Sequence, residues 1–281
     1  MTRRALILAL IGAIGCCAAE PPRRIVSLSP DITEMLYGIG AFAQVVGVSD
    51  YCTYPPEVKK LPSVGAWDNP SLEKIAAMRP DLVLSDVAQA QLVEDHVKAL
   101  GLKIVAVPDH TIDDVYATIV SLGRITGHAD AAAKLAADTR RQLQQVSQKA
   151  AGLSRPSVIM IVDRTPGTLN DLYTAADTSF LAELVSIAGG HSIAPKAAIG
   201  YGKLSKEDLL ALNPDIILDF VHGTPSRFAG NPIEAWSEMP ELRAVKKHQV
   251  HAVNEDFVPH ASQRMVETAR LFARLIHPEV P

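Results

Sequence analysis

The sequence predicts an α/β protein: two βα lobes with mainly parallel sheets, joined by one long helix. Three observations carry this. Apolar strands alternate with helix patterns over residues 23–126, as in βαβ units. A strandless stretch of good helix formers follows at 128–152. The alternation then restarts at 157, and a segment of the first half recurs in the second.

In the first lobe (20–127) the strands are "RRIVSLS" (23–29), "QVVGVS" (44–49), "DLVLSD" (81–86) and "KIVAVPD" (103–109). Their nearly continuous Val, Ile and Leu content suits a parallel sheet covered on both faces. Helix patterns fall between and after them, at 31–38, 71–78, 89–100 and 112–126. Residues 128–152 contain no proline and no internal glycine before Gly152, and they are rich in Ala, Gln, Lys and Arg. Such residues favour helix, here about 20 residues and roughly 30 Å long at 1.5 Å per residue. The second lobe (153–281) opens with the strand "SVIMIVD" (157–163). A helix at 179–188, a Gly-Gly break at 189–190, a helix at 205–212, strands at 215–220 and 249–254, and a last helix at 261–276 follow.

Residues 1–19 read as a secretory signal peptide: "MTRR", an apolar run too short for a stable membrane anchor, then small residues before Glu20. Cleavage after Ala19 fits this layout. "AIGC" also resembles a lipoprotein box, with Cys16 as the lipidated residue. Loss of Arg3 and Arg4 leaves 25 basic against 31 acidic residues, a balance of −6. That argues against nucleic acid, which calls for a basic face. Cys52 is then the lone cysteine, so no internal disulfide can form. It reads as a small buried residue.

The repeat pairs "SLEKIAAMRPDLVLSD" (71–86) with "SKEDLLALNPDIILDF" (205–220), offset by 134. Serine caps a short helix, glutamate sits in its first turn where the dipole favours negative charge, proline ends it, and a buried strand follows. Four residues upstream stand Trp67 in one copy and Tyr201 in the other. With the lobes facing each other, two rings would line one cleft, and Glu73 and Glu207 would occupy related places.

No Gly-rich phosphate loop follows a strand, and neither a Gly-x-Ser-x-Gly elbow nor HExxH is present. The nine histidines show no metal-ligand spacing on one helix. The sequence therefore nominates no catalytic residue, no metal ligand and no cofactor.

Residues 23–84 resemble the opening of the periplasmic substrate-binding proteins that serve ABC importers of vitamin B12, ferric siderophores and haem. The resemblance rests on Ser29-Pro30 with Thr33-Glu34, Val46-Gly47-Val48, Tyr54-Pro55-Pro56, Val64-Gly65, Asn69 with Glu73, and Pro80-Asp81-Leu82-Val83. It continues through Gly189-Gly190, residues 205–220 and the tail "NEDFVPHASQRMVETARLF". It implies a class III binding-protein fold, a monomer in the periplasm, and delivery of a bulky ligand to a permease dimer driven by its ATPase. The vitamin B12 binders are the nearest likeness. That likeness implies ligand contacts at Tyr51, Trp67, Tyr173, Tyr201, Asp256 and His260, and permease contacts at Glu73 and Glu207. The bound ligand would be a corrinoid or a ferric chelate. Two positions depart from those binders: His260 replaces an arginine and Asp86 a tryptophan. A histidine at the cleft also suits haem iron, and His260 near Asp256 leaves open a secreted metal-handling protein or enzyme.

Overall fold

The structure, a computed structural model, describes residues 20–195, 201–220 and 233–279. Residues 1–19, read above as an export segment, and with them Cys16, lie outside the described residues. The first sheet comprises β1 (Ile25–Ser27), β2 (Val45–Val48), β3 (Leu82–Asp86) and β4 (Ile104–Val107), all parallel, in the order β2-β1-β3-β4. Central β1 and β3 are buried along their whole length, which is why their sequences run apolar without alternation. Helices α1 (Pro30–Gly38), α2 (Leu72–Ala77), α3 (Val87–Ala99) and α4 (Ile112–Thr126) belong to this lobe. Local chemistry sets their starts. Ser71 caps α2, Asp86 caps α3, and Thr111 with Asp114 forms a capping box on α4.

Gly127 ends α4 in the left-handed region (φ 80°), which glycine adopts without steric penalty, and α5 (Ala129–Ala150) begins two residues later. The two helices cross closely at Gly123, where an added Cβ would lie 2.2 Å from the Ala132 Cβ. Helix α5 runs for 22 residues without a break and links the two sheets in the chain.

The second sheet comprises β5 (Ser157–Asp163), β6 (Leu172–Ala175), β7 (His191–Ser192), β8 (Tyr201–Leu204), β9 (Ile216–Phe220) and β10 (Val250–Val253). Its order is β10-β9-β5-β6-β8, with β7 also on β5. Strands β10, β9 and β5 are parallel, whereas β6 and β8 run antiparallel to their neighbours. The sheet is therefore mixed. "LYTA" and "YGKL" were not expected as strands, because four residues are too few to show a usable periodicity. Helices α6 (Phe180–Ile187), α7 (Lys206–Leu212), α8 (Arg243–Lys246) and α9 (Met265–Ile276) complete the lobe. Helix α9 starts later than the expected residue 261, because residues 262–264 turn to bond Glu34 of α1.

The sequence repeat is a structural one. Ser71 and Ser205 each accept a backbone N–H in the first turn of their helix. Asp81, ahead of β3, accepts the amides of Arg23 and Arg24 at the start of β1 (2.8 and 2.9 Å). Asp215, ahead of β9, accepts the amide and hydroxyl of Ser157 at the start of β5 (3.0 and 2.7 Å). The same carboxylate thus pins neighbouring strands in both lobes. One hydrophobic core continues across the joint, from Leu36 and Ile119 through Leu143 of α5 to Leu184 and Phe272. Among the described residues no helix is long and apolar enough to cross a membrane.

Candidate ligand-binding site

In an open parallel sheet, loops at the carboxyl ends of the strands face the ligand crevice. Asp31 follows β1, Tyr51 follows β2, Asp86 ends β3 and Asp109 follows β4. In the second lobe, Asp256 and His260 follow β10.

Trp67 lies on the loop before α2. Its Nε1–H donates to Asp86 Oδ2 at 2.6 Å, while Asp86 Oδ1 accepts the Gln89 amide at 2.7 Å as the cap of α3. Gln89 Nε2 donates to the Trp67 carbonyl at 2.7 Å, and so holds the loop from below. The indole is therefore half-buried and fixed, with a structural role added to any ligand role. Asp86 is the residue that fixes it.

Beside Asp86 lie two more carboxylates. Asp31 is 5% exposed and is pushed up to about 6, first by burial and then by Asp86, against the opposing hydrogen bond from Ser29. Asp109 is pushed up to about 8 by burial and by the charges of Asp31 and Asp86. Tyr201 reaches the same charges from the second lobe. Its phenol is pushed up to about 12, first by burial and then by Asp109, Asp31 and Asp86. The residue as a whole is 51% exposed. Strand register puts Tyr173, opposite Lys203, and Tyr201, opposite Ala175, on one face of the β6–β8 ribbon. The Lys203 ammonium stands 5.8 Å from the Tyr173 ring centroid. Leu172 and Leu204 point the other way, into the core.

The lobes are laced together next to this cluster. Buried Glu34 takes hydrogen bonds from Ser262 (2.5 Å) and Arg264 (3.0 Å) and pairs with His260 Nδ1 (2.9 Å). Arg264 also stacks on Tyr54 and Phe257. Asp256 accepts from the Thr53 hydroxyl at 2.6 Å. Asp256 and His260 thus each cross to the first lobe, and no hydrogen bond joins them to each other. Tyr51 is 56% exposed in the turn after β2. The Cys52 sulfur sits between the hydroxyls of Thr33 (3.3 Å) and Ser49 (3.4 Å), and burial raises its thiol.

Glu73 and Glu207 are exposed in the first turns of α2 and α7. No group among the described residues hydrogen-bonds to either. No set of three or more His, Cys, Asp or Glu among the described residues is placed to hold a metal ion. Asp31, Asp109 and Glu34 were absent from the sequence-based candidates. The signal for Asp31 and Asp109 was positional: "SPD" and "VPD" each follow or close a parallel strand, where the crevice must open.

Two α/β lobes on one linking helix, with rings and carboxylates converging between them, define a two-lobed binding protein. The chain belongs to the periplasmic binding protein family, whose model matches residues 25–256. It is 31% identical to the uncharacterised ABC transporter substrate-binding lipoprotein YvrC of Bacillus subtilis, over 92% of this chain and 82% of that one. It is 28% identical to the vitamin B12-binding protein of Pectobacterium carotovorum, over 93% and 91%. The crystal structure of the periplasmic vitamin B12 binding protein BtuF of Vibrio cholerae superposes with a TM-score of 0.77 at 26% identity, covering 92% of this chain and 98% of that one.

Proposed function

We propose that the chain is the extracytoplasmic solute-binding subunit of an ABC importer, capturing a corrinoid or ferric siderophore between its lobes. Residues 20–127 and 153–281 act as the two jaws and 128–152 as their joint. Residues 1–19 direct export to the periplasm with cleavage after Ala19; cleavage before Cys16 would instead leave that cysteine as a lipid anchor. Tyr51, Trp67, Tyr173 and Tyr201 supply ring faces, and Asp256 and His260 supply polar contacts. Glu73 and Glu207 orient the loaded monomer on the permease dimer. The carrying observation is Asp86, which accepts from Trp67 of one lobe and whose charge reaches Tyr201 of the other. A few rings with few polar groups suit a large flat ligand that loses most of its surface to the protein.

A second reading is haem. His260 Nδ1 is held by a carboxylate, the arrangement that orients metal-ligating histidines. Absorbance titration of the purified protein with cyanocobalamin, a ferric trihydroxamate and haemin separates these readings. Saturation at one ligand per chain by one of the first two is the expected result. Failure of all three to bind, or turnover without stoichiometric binding, overturns the importer role.

A further inference from the structure

Building on the cleft reading above, we infer that the cleft floor selects a ligand without net negative charge that presents N–H donors, and rejects anionic chelates. An uncharged corrinoid edged with amides and a ferric hydroxamate bearing an ammonium share this chemistry.

Strand order places the acids. β1, β3 and β4 are neighbours in the sheet, so Asp31, Asp86 and Asp109 stand in a row at their carboxyl ends. The floor also has an acceptor to spare. Asp31 Oδ2 is buried and has no hydrogen-bond partner. Buried acceptors without donors are uncommon, because each loses its water without replacement.

The nearby donors are already engaged. Trp67 Nε1 is held by Asp86. His260 and Arg264 converge on Glu34, and Arg264 also bonds Glu267. His110 lies 3.3 Å from the Thr178 hydroxyl. Asp256 adds another carboxylate, bonded to Thr53. Among the described residues the remaining cation on a cleft-facing surface is Lys203, beside the Tyr173 ring. Among the described residues, an arriving propionate or catecholate would therefore meet three acids, of which Asp31 and Asp109 have a raised affinity for a proton, and one lysine. An arriving N–H would offer the acid row the donor that Asp31 Oδ2 lacks.

The titration of the floor gives a second readout. Burial and mutual repulsion let Asp31 and Asp109 keep protons toward neutral pH. A donor-bearing ligand favours their ionised forms, so its affinity rises as pH rises and protons leave. An anion favours the protonated forms, so its affinity falls over the same range.

The test is fluorescence and absorbance titration of the exported chain between about pH 6 and about pH 9. The probes are cyanocobalamin, a cationic ferric trihydroxamate, haemin and a ferric tricatecholate. At neutral pH one of the first two should bind at least about tenfold more tightly than either anion. Its affinity should rise at least about threefold across the range, and Asp109→Asn should flatten that rise. Asp31→Asn provides the same comparison should the first variant fold poorly. Tighter binding of haemin or the tricatecholate at neutral pH, or a pH-independent affinity in the unsubstituted chain, overturns the inference and leaves the cleft standing. Binding of none of the four overturns both.

Discussion

Replacing Trp67 by phenylalanine separates the two roles of its indole. The ring remains, but the N–H that meets Asp86 Oδ2 at 2.6 Å is lost. Asp86 is 3% exposed, so water cannot readily replace that donor. Leaving a buried acceptor short of a partner costs about 1–3 kcal/mol. The lower end applies here, because Asp86 keeps the Gln89 amide at 2.7 Å. In a chain of this size each kcal/mol lowers the melting temperature by about 2–4 °C. Calorimetry of the ligand-free Phe variant should show that fall. Its ligand affinity should change by less than about threefold, because the stacking surface, about 0.5–1.5 kcal/mol, is retained. Trp67→Ala removes ring and donor together, and affinity should drop at least about tenfold, or ~1.4 kcal/mol. A Phe variant that melts like the unsubstituted protein would show that the bond to Asp86 contributes nothing. Equal affinity losses in the Phe and Ala variants would show that ring stacking is not the contact.

Stability should fall as pH rises from about 4 to about 8, because Asp31 and Asp109 hold protons in the folded chain (to about 6 and about 8) that the unfolded chain has released near pH 4. Urea unfolding at several pH values should show this slope, and Asp109→Asn should reduce it; an unchanged slope in the variant would remove Asp109 as its source. Glu73→Arg combined with Glu207→Arg should leave ligand titration normal and abolish uptake, since both acids are exposed and unpaired among the described residues while Arg–carboxylate pairs set orientation between partners. If those acids only complement their helix dipoles, at about 0.3–1 kcal/mol each, uptake by the double variant stays intact and the docking role fails.

Much of this architecture was legible in local sequence. Strands β1, β3, β5 and β9 and helices α4 and α5 announce themselves by apolar runs, caps and helix formers, all set by neighbours within a few residues. The offset of 134 located Ser71 with Ser205 and Asp81 with Asp215, and in the fold each pair does the same job. Trp67 and Tyr201 stand out because each precedes one copy of the repeat at the same spacing, whereas Tyr51 and Tyr173 rest on the family resemblance. Short β6 and β8 escaped notice, since a four-residue edge strand is decided by its partner and not by its own pattern.

The floor of the cleft was decided by tertiary structure alone. Asp31 and Asp109 are remote in sequence and become neighbours because β3 pairs between β1 and β4, an order that no local periodicity encodes. Glu34 and His260 meet across 226 residues. Strand order and lobe apposition come from burying many apolar surfaces at once, whereas a capped helix or a buried strand needs only its own residues. The sequence by itself therefore determined the elements, their repeat and the family. The partners of Trp67, the protons on Asp31 and Asp109, and the latch on Glu34 exist only once distant segments have excluded water from the same place.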